Sequence, residues 1–536
     1  MMMYSTIDNA EQTGDNMSDR NAYEKKEIIM LYPRLGLKKN GLVMAMLKRA
    51  NILAQHDYNV TILTVEYDAE LSHVYNNMIE NGVLSKQVRF QNVYALLQNS
   101  QISDANSCGD VQPYTPVASD GYVQDTNNNF IFKKGKLEKR YEMTREDGSL
   151  AWINYFNDNK IIMRAKYDAS QTLSCIQNIS DGKITSISFY DSEGKLKLIN
   201  NYKVDEKSSE LQSIILFNQQ GFIETTLATE KELFLHALDT FYSRADTLYY
   251  FIIDRAIYFS EALFAHKKEN YAYIGTIHAA HYVNPADSNS RVNSHYKHYF
   301  DNTQQLDALV FLTKKQRQEA EDRFKFNSAS FEIPHVYDKK IPKYHAERKP
   351  FSCISVGRFD PVKRLPELIK IFSRVVQAIP EATLKLYGYG SELPKMQAAI
   401  EQYDLSRNVE ICEYTESVDL VYQSADLMLF TSRSEGYGLV IMEALANQCP
   451  VVSYDINYGP LEMIVDGVNG FLIEDKQDEK FAQSVISALK DRKGLKAMQK
   501  SAGKLAKNYT ASDFSQRWGE LFMQVEINRN NKHSAV

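Results

Sequence analysis

The sequence predicts an α/β protein with two parallel-sheet domains and a β-rich domain inserted into the first. Three observations carry this expectation. Short continuous apolar runs alternate with helical stretches over 26–84, 229–345 and 346–512, as strands buried on both faces of a sheet require. Over 85–228 the helical pattern is lost and turn signals recur. The length, 536 residues, calls for about two to four domains.

Each segment then reads in order. Residues 1–25 have no apolar stretch, so they form a disordered lead-in rather than a signal peptide. "KEIIMLYP" (26–33) is a strand, "LVMAMLKRANILAQH" a helix and "NVTILTVEYD" a strand. This first β-α-β unit has Gly41 in its first turn. The inserted span carries "EDGS", "NDNK", "SDGK", "SEGK" and "NQQG" between alternating runs such as "KITSISFYD", the pattern of hairpins and meanders. Helix "KELFLHALDTFYS" and strands "TLYYFIID", "YAYIGTIHAAH" and "LDALVFLT" resume the first domain. The second domain opens with "FSCISVG", loop "RFDPVKR" and helix "LPELIKIFSRVVQAI". It continues through "ATLKLYGYG", "SELPKMQAAIEQY", "NVEICEY" and "SVDLVYQSA" to "LMLF", loop "SRSEGYG", helix "LVIMEALAN" and strand "CPVVSYD". A final helix within 513–536 is free to return to the first domain.

Bulk properties limit the function. A net charge of −6 argues against a nucleic-acid binder. No run of about 18 apolar residues is present, so no transmembrane helix is expected. The five cysteines, 108, 175, 353, 412 and 449, show no pairing or metal-ligand spacing, which fits a reducing cytoplasm.

The chemistry concentrates where strands end. Ligands of such sheets bind beyond the carboxyl ends of the strands. "VGRFDPVKR" puts Arg358 and Lys363 there, two cations suited to a diphosphate. The bland reading is a pair of solvated loop cations. Glu435 lies among glycines, and Gly438 and Leu439 open a helix whose N-terminus suits an anion. Glu443 stands inside an apolar helical run, where a carboxylate needs partners.

Together, "VGRFDPVKR", "YGYGSE", the Glu435–Glu443 pair and "YGPLEMIVDGVNGFLI" resemble the second domain of retaining glycosyltransferases of family four, which have the two-domain GT-B arrangement. The resemblance implies that Arg358 and Lys363 bind a diphosphate and that Gly438 and Leu439 offer backbone N–H groups. It implies that Glu443 accepts hydrogen bonds from a nucleotide ribose and that Glu435 lies near the donor sugar. Family members carry a histidine at a first-domain strand end; His281 is the choice here and His278 the close alternative. Gly41 takes the place of a loop that is usually Gly-Gly, and Asn40 departs from it. No Asp-x-Asp occurs, so no metal and no cofactor is expected beyond the UDP-sugar substrate. The inserted segment is similar to those of poly(glycerol-phosphate) α-glucosyltransferases of teichoic acid and of transferases acting on serine-rich adhesins. The implied acceptor is a teichoic acid polymer or a Ser/Thr-rich protein. The insertion would handle the acceptor or mediate homo- or hetero-oligomers. The implied place is the cytoplasm, with peripheral association at the inner membrane face. A non-catalytic scaffold of the same fold, or a phosphorylase-like enzyme, is the alternative.

Overall fold

The computed structural model describes residues 23–37, 40–99, 123–125, 128–134, 138–145, 148–205, 207–326, 328–337, 348–415, 417–505 and 509–534. Most of the expected lead-in, Cys108 and the expected domain boundary at 345/346 lie outside these residues.

The first domain is a parallel sheet of seven strands. Their spatial order is Ala329–Glu332, Ala308–Phe311, Tyr271–Ile277, Thr247–Ile253, Lys25–Tyr32, Val60–Thr64 and Arg89–Asn92. Thr247–Ile253 is buried at every residue, because the sheet is covered on both faces. The second domain is a six-stranded parallel sheet. Its order is Val409–Cys412, Thr383–Tyr387, Ser352–Val356, Leu427–Phe430, Val451–Asp455 and Gly470–Glu474. Helix Leu365–Ala378 covers it with Leu368, Ile369, Phe372 and Val375, all fully buried. This is the GT-B arrangement.

The inserted domain is a ten-stranded antiparallel meander in which each strand pairs with its sequence neighbours, from Val123–Asp125 to Ile223–Leu227. Gly182, Gly194 and Gly221 take left-handed φ values of 79°, 80° and 85° in the turns that the sequence marks. The meander is continuous with the first domain. Cys175, Phe189, Leu198 and Leu216 share one core with Leu31, Leu63, Tyr94 and Phe234. Its start differs from the expected residue 85. Strand Arg89–Asn92 pairs in parallel with Val60–Thr64, so it belongs to the first sheet. Four residues, "RFQN", are too short to show a period, which is why the sequence assigns them to the insertion.

The last helix, Ala511–Ser534, leaves the second domain and packs on the first. Phe514, Trp518, Leu521, Phe522 and Val525 join Met30, Leu47 and Tyr250 in one core.

Candidate active site between two domains

The second domain's contribution gathers where its strand order reverses, between Ser352–Val356 and Leu427–Phe430. Ligands of doubly wound sheets bind at such a switch point. A hollow there is lined by Ser355, Arg358, Lys363, Phe430 and Ser432. The glycines of "YGYG" let their loop pack against the Gly357–Phe359 segment that lines it. A Cβ on Gly388 would fall 1.9 Å from the Gly357 carbonyl oxygen, and one on Gly390 2.5 Å from that of Phe359. Only glycine lets these loops run side by side.

Lys363 Nζ lies 2.5 Å from Glu435 Oε1, with 18% and 15% of the two side chains exposed. The ammonium also sits 5.5 Å from the centre of the Phe430 ring. Two bonds fix the loops that present the pair. Thr431 Oγ1 donates to the Lys363 carbonyl at 3.0 Å, and Arg433 N–H to that of Val362 at 2.8 Å. Arg358 differs: its side chain is 62% exposed and pairs with Asp360, at 2.8 Å.

Helix Leu439–Ala446 begins after Gly438, whose φ is +81° and which offers no capping side chain. The helix N-terminus therefore presents backbone N–H groups and the positive end of its dipole beside Glu435. Glu443 lies just over one turn in and is partly buried. Tyr422 donates its hydroxyl to Glu443 Oε2 at 3.0 Å. Asn447 braces the same turn, donating to the Glu443 carbonyl at 3.0 Å and to Asp419 Oδ1 at 2.8 Å.

The first domain faces this wall directly. A Cβ on Gly436 would lie 2.0 Å from the His278 carbonyl oxygen, so the two backbones touch. Gly41 opens helix Gly41–Gln55, and a Cβ there would meet Leu439 at an ordinary 3.8 Å. Asn40, which departs from the expected Gly-Gly, caps this helix instead, its Oδ1 accepting from Val43 N–H at 3.0 Å.

The two candidate histidines separate in the structure. His278 follows strand Tyr271–Ile277 and stands against Gly436. Its Nε2 lies 2.7 Å from Asp254 Oδ1, and Arg49 Nη2 holds the other carboxylate oxygen at 2.5 Å. Asp254 is fully buried; burial alone would raise its pKa, but Arg49 and His278 together hold it well below the usual carboxylate range. An ionised carboxylate only accepts, so Nε2 carries a hydrogen. Nδ1, buried without a partner among the described residues, is left for another group. The ring stacks on His335 at 5.8 Å, and His335 meets Tyr437 edge-on at 5.5 Å.

His281, the first choice from sequence, is instead completely buried. It packs between Tyr282, Phe300 and Tyr458, with ring centres at 3.9, 5.6 and 5.7 Å. Burial and the Arg323 cation push it down to about 3, so it is neutral at ordinary pH. Both histidines occupy one loop in the sequence; only packing tells them apart. Asp254 and Arg49 escape the sequence reading, although Asp254 ends "TLYYFIID" and meets the same strand-end criterion as Arg358.

Residues 336–505 match the family of glycosyl transferases group 1. The second domain is a group 1 glycosyl transferase domain. The whole chain is 28% identical over 510 residues to a poly(glycerol-phosphate) alpha-glucosyltransferase of Bacillus subtilis (strain 168), covering 91% of this chain and 74% of that one. It is 23% identical over 514 residues to a poly(ribitol-phosphate) alpha-N-acetylglucosaminyltransferase of Staphylococcus aureus (strain COL), covering 93% and 99%. The pneumococcal O-GlcNAc transferase GtfA, solved with UDP and GlcNAc, superposes with a TM-score of 0.75 at 18% identity over 94% of this chain and 99% of that one. These matches extend beyond the group 1 domain into the first domain and the insertion. Among the described residues no helix is long and apolar enough to cross a membrane.

Proposed function

We propose that the chain is a retaining, metal-independent glycosyltransferase that moves a hexose from a UDP-sugar to a hydroxyl of poly(glycerol-phosphate) teichoic acid. The observation that supports it most is the Lys363–Glu435 pair, set at the sheet's switch point and closed over by the His278 loop of the other domain.

In this reading the diphosphate binds between Arg358, Lys363 and the N–H groups of Gly438 and Leu439. Lys363 has three donors, so it can keep Glu435 while binding a phosphate oxygen. The two cations stabilise charge on the leaving diphosphate, the role a metal plays elsewhere. Glu443, oriented by Tyr422, holds the ribose. Glu435 orients the sugar where positive charge develops. His278 Nδ1 takes a sugar hydroxyl. His281 has no direct contact with the sugar. The insertion handles the polymer, and the protein works in the cytoplasm at the inner membrane face.

The second reading is N-acetylglucosamine transfer to Ser/Thr of a protein, favoured by the likeness to GtfA. One experiment separates them: UDP-glucose and UDP-N-acetylglucosamine, each against poly(glycerol-phosphate) and a Ser/Thr-rich peptide, with and without EDTA. Glucose transfer to the polymer, unchanged by EDTA, is expected. Transfer to the peptide alone favours the second reading. A complete loss restored by Mg²⁺ overturns metal independence. No transfer in any arm returns the chain to a scaffold.

A further inference from the structure

The two domains meet at a second place, outside the Lys363–Glu435 hollow. The loop after strand Val451–Asp455 reaches across from the second domain. Asn457 Nδ2 donates to the Pro285 carbonyl at 2.8 Å, and Tyr458 donates its hydroxyl to Glu319 Oε2 at 2.6 Å. Glu319 stands on helix Lys314–Phe324 of the first domain. The Tyr458 ring is 1% exposed and lies nearly parallel to the His281 ring, at 19°. Arg323 backs this pocket, stacked 5.0 Å from the Tyr282 ring and donating to the Ser288 and Ser290 carbonyls at 2.8 and 2.6 Å.

The same loop is tied to the proposed reacting centre. Tyr458 N–H donates to the Glu435 carbonyl at 3.3 Å. Gly459 follows with φ +81°, and a Cβ there would fall 2.0 Å from the Tyr437 carbonyl oxygen. One residue thus grips the opposite domain with its side chain and the Glu435 segment with its backbone.

We propose that Tyr458 is a positioning residue: its hydroxyl on Glu319 and its ring on His281 couple closure of the two domains to the placement of Glu435. The inference rests on the transferase reading above. The chemistry suits a contact that must open and close. A phenol–carboxylate hydrogen bond is charge-assisted and strong when dry, yet both partners are readily hydrated when the domains part. Burial and the Glu319 carboxylate raise the phenol, so the hydroxyl remains a donor. The neutral His281 adds a flat surface without a charge to bury. The buried histidine that the sequence places at the sugar serves here as the seat for Tyr458.

The test compares Tyr458→Phe, Glu319→Ala and Glu319→Gln with the parent in kcat, donor KM and UDP affinity. Tyr458→Phe keeps the ring and removes only the hydroxyl. It should lower kcat about tenfold, the scale of one hydrogen bond to a charged group. UDP affinity should stay nearly unchanged, because the nucleotide lies on the second domain. Glu319→Gln, which still accepts, should recover most of what Glu319→Ala loses. The Tyr458→Phe/Glu319→Ala double variant should be no worse than either single one. A kcat equal to the parent's, additive losses, or parallel loss of kcat and UDP affinity would overturn the coupling. If the parent transfers no sugar at all, the transferase reading has failed. Small-angle scattering with UDP then decides the coupling: Tyr458→Phe should be more open than the parent, and equal radii would refute it.

Discussion

The two walls of the cleft are built differently. The second domain supplies Arg358, Lys363, Glu435, Gly438, Leu439 and Glu443 from two short segments, 358–363 and 435–443. Each segment follows one strand end, the second running on into helix Leu439–Ala446, so residues near in sequence are near in space. The first domain's wall joins Gly41, Arg49, Asp254 and His278, and a core shared with Trp518. No window of sequence contains them. The second domain's wall is therefore readable along the chain, and the first domain's is not.

Particular residues show the limit. Buried strands such as "TLYYFII" announce themselves, since a strand covered on both faces reads as a near-continuous apolar run. The turns of the meander are equally clear, because left-handed backbone selects Gly, Asn and Asp. "RFQN" is not legible, being a four-residue edge strand defined by its partner. His278 and His281 are alike in sequence, separated by two alanines. What distinguishes them is Asp254 beside one and Tyr458 beside the other, both supplied from far along the chain.

The largest expected effect lies within the readable wall. Lys363→Ala should lower turnover at least ~10²-fold, because a fixed cation at the leaving diphosphate is lost. Arg358→Ala should also be strongly impaired. Of the two, Lys363 should matter more, since it is less exposed and already held by Glu435. Steady-state rates for both variants check this; turnover within threefold of the parent for both would remove the diphosphate assignment.

Next comes the seam between the walls. Gly436→Ala puts a methyl group where the His278 carbonyl lies, 2.0 Å away, and neither backbone can yield alone. The domains must separate slightly. A kcat loss of about tenfold or more is expected from misplacement by an ångström, with UDP affinity little changed. Gly36→Ala is the control, because nothing lies within 4 Å of a Cβ there. Equal effects of the two would show that steric closure is not what Gly436 provides.

A smaller effect divides the two carboxylates of the second domain. Glu443 is assigned to the ribose, whose contact is the same before and during reaction, so Glu443→Gln should mainly raise donor KM. Glu435 is assigned to the sugar ring, where charge changes, so Glu435→Gln should mainly lower kcat. The reverse pattern, measured with UDP-glucose and saturating acceptor, would exchange their roles.

The smallest effect concerns His281, which the structure buries against Tyr458. In the fold His281 is pushed down to about 3 by burial and Arg323. Unfolded, it regains the ordinary value of about 6.5. Above pH 6.5 both states are neutral and the residue adds no pH dependence. Below it the unfolded chain takes up a proton that the fold refuses, so stability falls with pH from about 6.5 towards 3, by at most ~1.4 kcal/mol per unit. His281→Phe keeps a flat ring for Tyr458 and cannot take the proton. Its melting temperature should therefore drop less than the parent's between pH 7.5 and 5, by roughly a few degrees. A histidine open to a sugar would keep a near-ordinary affinity for protons, and parent and variant would then lose stability in parallel. Parallel curves would return His281 to the cleft and leave Tyr458 without its seat.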